Sequence, residues 1–300
     1  MHEPESRPIS AGEIYDTDVP LTVWACAQER ARHQGAGRYP RENVTHPART
    51  LPELARQAIT AFSKSGDLVV DPMCGTGTTC IEAARLGRTA IGVELDDRWA
   101  RLAEENLAQV CTGAERRRAR IVTGDARRLT TLLPDLDVGE AGAVDLVVTS
   151  PPQMRETQRN TLAGRWAGGP SARHDGDIGG MREQTYVRAM AEVYAQPARL
   201  LRPGGLLVVI TKNTRAGDRL VNLAGTTVEL AQAAGLRYVQ HIVALHAAVR
   251  QSTLIAWPSR FSLFDRRQAR AGAPITHLSV HEDVFVFAKP RTRRPEGARR

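Results

Sequence analysis

Cysteine is scarce in these 300 residues: Cys26, Cys74, Cys80 and Cys111 are the whole complement. Their spacing fits neither a paired metal site nor the dense pattern of a disulfide scaffold, so reduced cytosolic thiols are expected. No apolar run approaches the roughly 18 residues that a membrane span requires. The start, Met1-His-Glu-Pro-Glu-Ser-Arg-Pro, lacks the apolar core of a signal peptide, which points to a soluble, cytoplasmic protein with no membrane partner. There is no internal repeat. His, Cys, Asp and Glu never cluster with ligand spacing, and no metal is expected.

With 42% hydrophobic residues the chain can bury a full core as one domain with appendages. Net charge is +8 with a pI near 9.8, and Arg116, Arg117, Arg118, Arg120, Arg127 and Arg128 cluster. Such a balance favours a polyanionic partner, because cations displace counterions condensed on phosphate. An arginine-rich composition alone accounts for it equally well.

The most informative stretch is Asp67-Leu-Val-Val-Asp71-Pro72-Met73-Cys74-Gly75-Thr76-Gly77-Thr78-Thr79. An apolar run ending on an acid and passing through two glycines into Cys80–Leu86 reads as strand, tight turn and helix start. Glycines there let backbone N–H groups approach a ligand at a helix N-terminus. Two common readings are excluded. A P-loop needs a Lys after its last glycine, where this chain has Thr78. A dinucleotide fingerprint starting at Gly75 needs a third glycine where Cys80 stands.

Asp-Pro-Met-Cys-Gly-Thr-Gly-Thr-Thr resembles the S-adenosylmethionine loop of the DNA amino-methyltransferases, which methylate cytosine N4 or adenine N6. The resemblance implies a Rossmann-like class I methyltransferase: an α/β fold whose seven-stranded, mostly parallel sheet ends in an antiparallel hairpin, with helices on both faces. It implies S-adenosyl-L-methionine as cofactor and Asp71 to Thr79 as its loop. DNA would be the partner, with RNA the alternative, and a companion restriction enzyme stays open.

The rest of the chain is read in that light. Residues 1–42 form an N-terminal extension, 43–289 the methyltransferase domain and 290–300 a basic, disordered tail. Thr50 and Glu53 fit a capping box for a helix over about 51–63. His46-Pro47 before it resembles the family segment that closes over the methionine end of the cofactor, although a turn with a helix cap explains the same residues. Thr89–Glu94 reads as the second parallel strand, and a carboxylate at its end can accept hydrogen bonds from both ribose hydroxyls. Glu94 is therefore the ribose candidate, while Asp96 caps the following helix. A third strand ends on Gly124-Asp125. By resemblance Asp125 faces the adenine amino group; as a plain motif Gly-Asp is a common turn.

Val144–Thr149 is a fourth buried strand, and it runs straight into Ser150-Pro151-Pro152-Gln153. An exocyclic base amine has its lone pair delocalised into the ring and attacks a methyl group poorly. Hydrogen-bond acceptors on a rigid backbone can hold the amine's protons and favour a pyramidal nitrogen, and paired prolines aim the carbonyl. Ser150 Oγ and the Pro151 carbonyl are the acceptors, with Thr149 at the cofactor side. The arrangement resembles the family's Ser-Pro-Pro-aromatic motif, whose serine form is commoner among cytosine-N4 enzymes. It departs at Gln153, because an aromatic there would stack on the flipped-out base, a contact of about 1–3 kcal/mol. Trp166, in the glycine-rich loop 154–181, is the aromatic expected to supply that stack, with Arg155 beside it.

A helix over Tyr186–Leu201, an Arg202-Pro203-Gly204-Gly205 turn and a strand over 206–210 are expected as scaffold. A helix over about 219–234 and strands over 236–245 and 281–287 follow. His281-Glu282-Asp283 resembles a late family motif and is read as structural. Between the last two strands, the insertion 246–280 carries Trp257 and Arg260, basic residues interleaved with aromatics that suit a nucleic acid strand. No Pro-Cys pair offers the nucleophile of cytosine-C5 enzymes, so direct displacement is the expected mechanism.

Overall fold

The computed structural model describes residues 20–34, 49–133, 142–153, 176–216, 219–257, 271 and 277–291. His46, Arg155, Trp166 and Arg260 lie outside the described residues, as do most of the 154–181 loop and most of both ends.

Short apolar runs form the parallel strands β2 (Leu68–Asp71), β3 (Thr89–Glu94), β4 (Ala119–Thr123), β5 (Val144–Thr149) and β6 (Leu201–Thr211), the inner ones largely buried and β4, at the sheet edge, alternating buried with exposed residues. With β1 (Val23–Trp24), β9 (Arg237–Leu245) and β12 (His281–Ala288) they make one sheet in the order β1-β9-β12-β6-β5-β2-β3-β4. The chain winds outward through β2, β3 and β4, then crosses to β5 on the other side of β2. That reversal opens a crevice between β2 and β5 at the carboxyl ends of the strands.

On one face α2 (Pro52–Phe62), α3 (Thr78–Arg85) and α4 (Asp97–Val110) bury Leu54, Ile59, Ile81, Ala103 and Leu107 against Val69, Leu146, Val148 and Ile210. On the other, α6 (Leu129–Leu132), α7 (Glu183–Leu200) and α8 (Leu223–Ala233) bury Leu129, Met190, Tyr194 and Ala231 against Val70, Val147, Val209 and Phe287. Two one-turn helices, α1 (Ala31–Gln34) and α5 (Gly113–Arg116), complete the helical elements used below.

The sheet has eight strands where seven were expected. The added strand is Val23–Trp24, which pairs in parallel with β9 through Val23–Val243 and Trp24–Ala244. Antiparallel β12 lies between β6 and β9 and pairs with both. Three local expectations also need correction. Thr50 caps nothing: Leu51 is the extended residue before α2 and Pro52 its first helical position, because a residue preceding proline is pushed out of the helical region. That places Thr50 one position too early, and Glu53 turns instead to Arg56 and Gln57. The Arg202-Pro203-Gly204-Gly205 turn is absorbed into β6 as a register shift opposite Val144 to Leu146, with Gly204 at φ +81°. The helix expected from residue 219 starts at Leu223. Residues Arg219–Val221 form β8, paired with β7 (Thr214–Ala216), and Asn222 caps the helix through the Gly225 N–H. Finally, the 246–280 insertion contains a hairpin of its own, β10 (Ala247–Arg250) and β11 (Thr253–Ala256).

Gly92 illustrates how tightly the site end of the sheet is packed. A Cβ there would lie 2.8 Å from Cys74 Sγ, Cys80 Sγ and Ile121 Cδ1 alike. Gly92→Ala is expected to cost about 1–3 kcal/mol by overpacking, read as a fall in the thermal midpoint without loss of helical circular dichroism. An unchanged midpoint would show that the two thiols yield freely.

Candidate active site

The carboxyl edge of the sheet collects the chemistry-bearing residues in strand order. Asp125 follows β4, Glu94 ends β3, Asp71 ends β2, Ser150 follows β5, Lys212 follows β6 and Glu282 opens β12. The register carries the alignment: Gly92 pairs with Asp71, Thr123 with Glu94, and Val70 with Val147.

The turn from β2 into α3 is held from several sides. Asp71 Oδ1 accepts the Met73 N–H at 3.1 Å, the Cys74 N–H donates to Val93 O, and buried Asn106 donates to Thr76 O at 2.8 Å. Gly75 and Gly77 take φ values of +54° and +84°, which only glycine adopts without strain. Gly77 also packs against α4, where an added Cβ would stand 3.1 Å from Ala103 Cβ. No side-chain cap hydrogen bond forms at the start of α3, whose first amides have no intrahelical partner.

Glu94 reaches back to this turn. Its Oε2 accepts the Gly75 N–H at 2.9 Å and its Oε1 the Asp96 N–H at 3.0 Å. Each oxygen keeps one further acceptor position, which is what a pair of ribose hydroxyls needs. Burial raises the Glu94 carboxyl, and the Asp96 and Gly75 N–H groups draw it back. Asp96 caps α4 through the Arg98 N–H at 2.8 Å, as expected.

Asp71 is buried, and burial pushes its carboxyl up to about 6; the Thr79 hydroxyl and the Met73 N–H oppose the rise, and the Glu94 charge adds to it. The Thr149 hydroxyl also pulls weakly on Asp71 but closes no hydrogen bond of regular geometry, and its buried Oγ1 has no partner. An uncapped helix start, acceptor positions on Glu94 and an orphaned hydroxyl suit a zwitterionic nucleoside ligand with a carboxylate at one end and a ribose at the other.

Asp125 is differently placed. Arg127 grips its carboxylate through Nε at 3.0 Å and a terminal nitrogen at 2.6 Å, and the Arg127 N–H adds a bond at 2.9 Å. Burial raises the Asp125 carboxyl, but these bonds and the Arg127 charge hold it below the usual range. Much of its acceptor capacity is thus already in use. The arginine cluster is likewise partly neutralised, since Arg116 pairs with Glu104 at 2.6 Å.

Ser150, Pro151, Pro152 and Gln153 leave β5, the strand that pairs with β2, half-buried and outside any helix or strand. Trp257 is half-buried; its Nε1 donates to Ala27 O at 3.1 Å and Arg30 lies over its ring at 4.3 Å. Sequence reasoning missed Lys212. It is buried three residues past Val209, the partner of Thr149, just as Pro152 is three past Thr149. Burial raises the neighbouring Glu282 carboxyl, but the charges of His246, Lys212 and His281 more than offset this and lower it; His246 Nε2 lies 3.1 Å from Glu282 Oε2. The signal was present as a lone lysine ending an apolar strand, in Ile210-Thr211-Lys212. Among the described residues no group of His, Cys, Asp and Glu could hold a metal, and no helix is long and apolar enough to cross a membrane.

A doubly wound sheet with antiparallel β12 inserted next to β9, and an acid-ended glycine turn at its switch point, define a class I Rossmann-like methyltransferase fold, the class that uses S-adenosyl-L-methionine. Residues 11–105 match the N6/N4 family described as DNA methylase. The chain is 30% identical over 95 residues to the type II methyltransferase M2.DpnII of Streptococcus pneumoniae, covering 32% of this chain and 33% of that one. It is 37% identical over 113 residues to a tRNA (guanine(10)-N2)-dimethyltransferase of Methanocaldococcus jannaschii, covering 36% and 29% respectively. The chain thus spans about a third of the length of these curated relatives. A solved S-adenosylmethionine-dependent O-methyltransferase from Thermotoga maritima superposes with a TM-score of 0.48 at 15% identity, over 85% of this chain and 72% of its own.

Proposed function

We propose that the chain transfers a methyl group from S-adenosyl-L-methionine to an exocyclic amine of a DNA base, cytosine N4 in preference to adenine N6. The observation that carries this reading is the adjacency of two motifs: Ser150-Pro151-Pro152 leaves β5 directly beside the Asp71–Thr79 turn on β2. When bound, the cofactor supplies an electrophilic methyl group on a sulfonium centre. Glu94 would hold its ribose, the open amides of α3 its carboxylate, and Asp71 with Thr149 would line the turn beneath it. Asp125 would reach adenine only with the oxygen capacity that Arg127 leaves. Ser150 Oγ and the Pro151 carbonyl accept the two amine hydrogens, which localises the nitrogen lone pair toward the methyl group. The proton released with the product passes to solvent. Positioning in line, rather than covalent chemistry, supplies the rate.

The serine form of the motif favours cytosine. Gln153 leaves the base without the usual aromatic neighbour and favours slow turnover, and its extreme case is a homologue that binds without catalysis. A second reading, guanine N2 in RNA, rests on the identity to the tRNA dimethyltransferase. Transfer of labelled methyl groups to duplex DNA, and not to tRNA or rRNA, is the expected result; label in RNA alone would favour the second reading.

Asp71 makes cofactor binding depend on pH. Its carboxyl is raised to about 6 in the folded chain, above the usual carboxylate value near 4. The folded state therefore retains a proton that the unfolded chain has lost, and stability falls as pH climbs through that window. A cationic ligand prefers the ionised form. Cofactor affinity is thus expected to weaken by about tenfold per unit as pH drops below 6, and titration calorimetry between pH 5 and 7.5 reads it. Asp71→Asn should flatten the profile; a flat wild-type profile would remove Asp71 from the site.

A further inference from the structure

Strands β6, β12 and β9 lie side by side next to β5, and each brings a charged or titratable side chain to the edge that carries Ser150. Thr211 pairs with Asp283, so the register places Lys212, the next residue, opposite Glu282. Glu282 pairs on its other side with Ala244, two residues before His246. Side chains alternate between faces along a strand. Val148, Ile210, Ala244 and Val284 all pack into the core beneath α2 and α3. The same alternation, continued one residue past β5, β6 and β9, brings Ser150, Lys212, His246 and Glu282 to that face. The one contact of regular length agrees, since His246 Nε2 lies 3.1 Å from Glu282 Oε2.

Lys212 is only 8% exposed, at the end of an apolar strand. A buried ammonium is costly unless it is paired, and Glu282 supplies the opposite charge. Burial raises the Glu282 carboxyl, and the charges of His246, Lys212 and His281 more than offset that. An ammonium with three donors can serve Glu282 and a ligand together. Two residues beyond Lys212, the buried Thr214 Oγ1 has no hydrogen-bond partner among the described residues, a second polar group suited to a ligand. The cofactor turn does not call for this cation. It lies on β2, and β5 with Ser150 stands between β2 and β6. Lys212 is therefore on the side of Ser150 away from the cofactor, where the methyl acceptor must be.

We propose that Lys212, oriented by Glu282, donates to a carbonyl oxygen of the target base and so selects a base whose carbonyl lies meta to its amine, cytosine rather than adenine. The inference rests on the base-methylation reading above. With the amine at Ser150 and Pro151, the ring extends toward β6. Cytosine carries O2 meta to N4, and the two are separated by a distance comparable with the roughly 4.8 Å between neighbouring strands. Adenine has a C–H at the corresponding position and offers Lys212 no acceptor there. A site built to hydrogen-bond a substrate group rejects an analogue that lacks it, because its buried polar group is then left without that bond. Lys212 is thus a base-reading residue, and Glu282 a positioning residue that acts through it.

The test uses a DNA duplex with the sequence in which the methylated base maps in DNA from an expressing host. Its target position carries either cytosine or the 2-aminopyridine C-nucleoside, which keeps the amine and the ring nitrogen but has C–H in place of the carbonyl. Wild type is compared with the double variant Lys212→Met, Glu282→Gln, which removes the donor and its counter-charge together and leaves neither buried alone. Wild type should methylate cytosine with a kcat/KM about tenfold to a hundredfold above that for the analogue, a preference that is read whether or not the variant folds. The double variant should lose about that factor on cytosine, treat the two targets alike within about a factor of two, and bind S-adenosylmethionine as wild type does. A wild type indifferent to the carbonyl overturns the proposal. So does a variant that slows on both targets and keeps the preference, the mark of a purely structural ion pair. N6-methyladenine as the product in host DNA overturns the role of Lys212 and leaves base methylation standing. A chain that binds S-adenosylmethionine and methylates no base refutes both.

Discussion

Ser150→Ala should lower methyl transfer by about a hundredfold to a thousandfold, the loss typical of removing one preorganised polar contact from a charge-developing centre. Cofactor affinity should stay within about a factor of two, because Ser150 lies past the end of β5, outside the hydrogen bonds that hold the Asp71–Thr79 turn. The logic is differential. In the ground state the amine hydrogens can bond to water, whereas in the transition state the nitrogen becomes cationic and its hydrogens more strongly donating. An acceptor on the rigid Ser-Pro-Pro backbone gains in the second state only. The prediction is therefore a fall in kcat with little change in KM for the base, measured by single-turnover transfer of labelled methyl. Equal loss in cofactor binding would instead mark Ser150 as part of the cofactor pocket.

Glu94→Gln should weaken S-adenosylmethionine binding by more than about tenfold and lower the thermal midpoint of the free protein. The substitution is nearly isosteric, so the effect is electronic. Glu94 accepts one backbone N–H on each oxygen, from Gly75 and from Asp96. A glutamine keeps one acceptor and turns an NH2 toward the other N–H, donor against donor. Hydrogen bonds to a charged group contribute about 1.5–3 kcal/mol each, and loss of one frees either the glycine turn or the start of α4. The ribose then loses its carboxylate and the turn that sets its position. Calorimetry and thermal unfolding together decide the point; wild-type affinity in the variant would exclude Glu94 from ribose binding.

Much of this site was legible in the chain because its signals are local. Asp71, Gly75 and Gly77 must sit at a strand-to-helix turn, since an acid after an apolar run and two glycines before a helix have few other uses. Glu94 was legible from its place at the next strand end, and the structure adds that its two oxygens hold the turn itself. Signals that depend on distant partners were not legible. Val23–Trp24 is too short to read as a strand and becomes one only because β9 offers a free edge. Lys212 gains meaning from β12 lying beside β6, which no local spacing encodes. The contacts of Trp257 with Ala27 and Arg30, more than two hundred positions earlier, were equally invisible in its local sequence. Thr50 failed for a steric reason next door, at Pro52.

The central claim, methyl transfer to an exocyclic base amine, is tested most directly by expressing the chain in a host without DNA methylation and analysing the digested DNA by nucleoside mass spectrometry. N4-methylcytosine that disappears with Ser150→Ala is the predicted result. DNA free of methylated amines under conditions where the purified chain binds S-adenosylmethionine would contradict it.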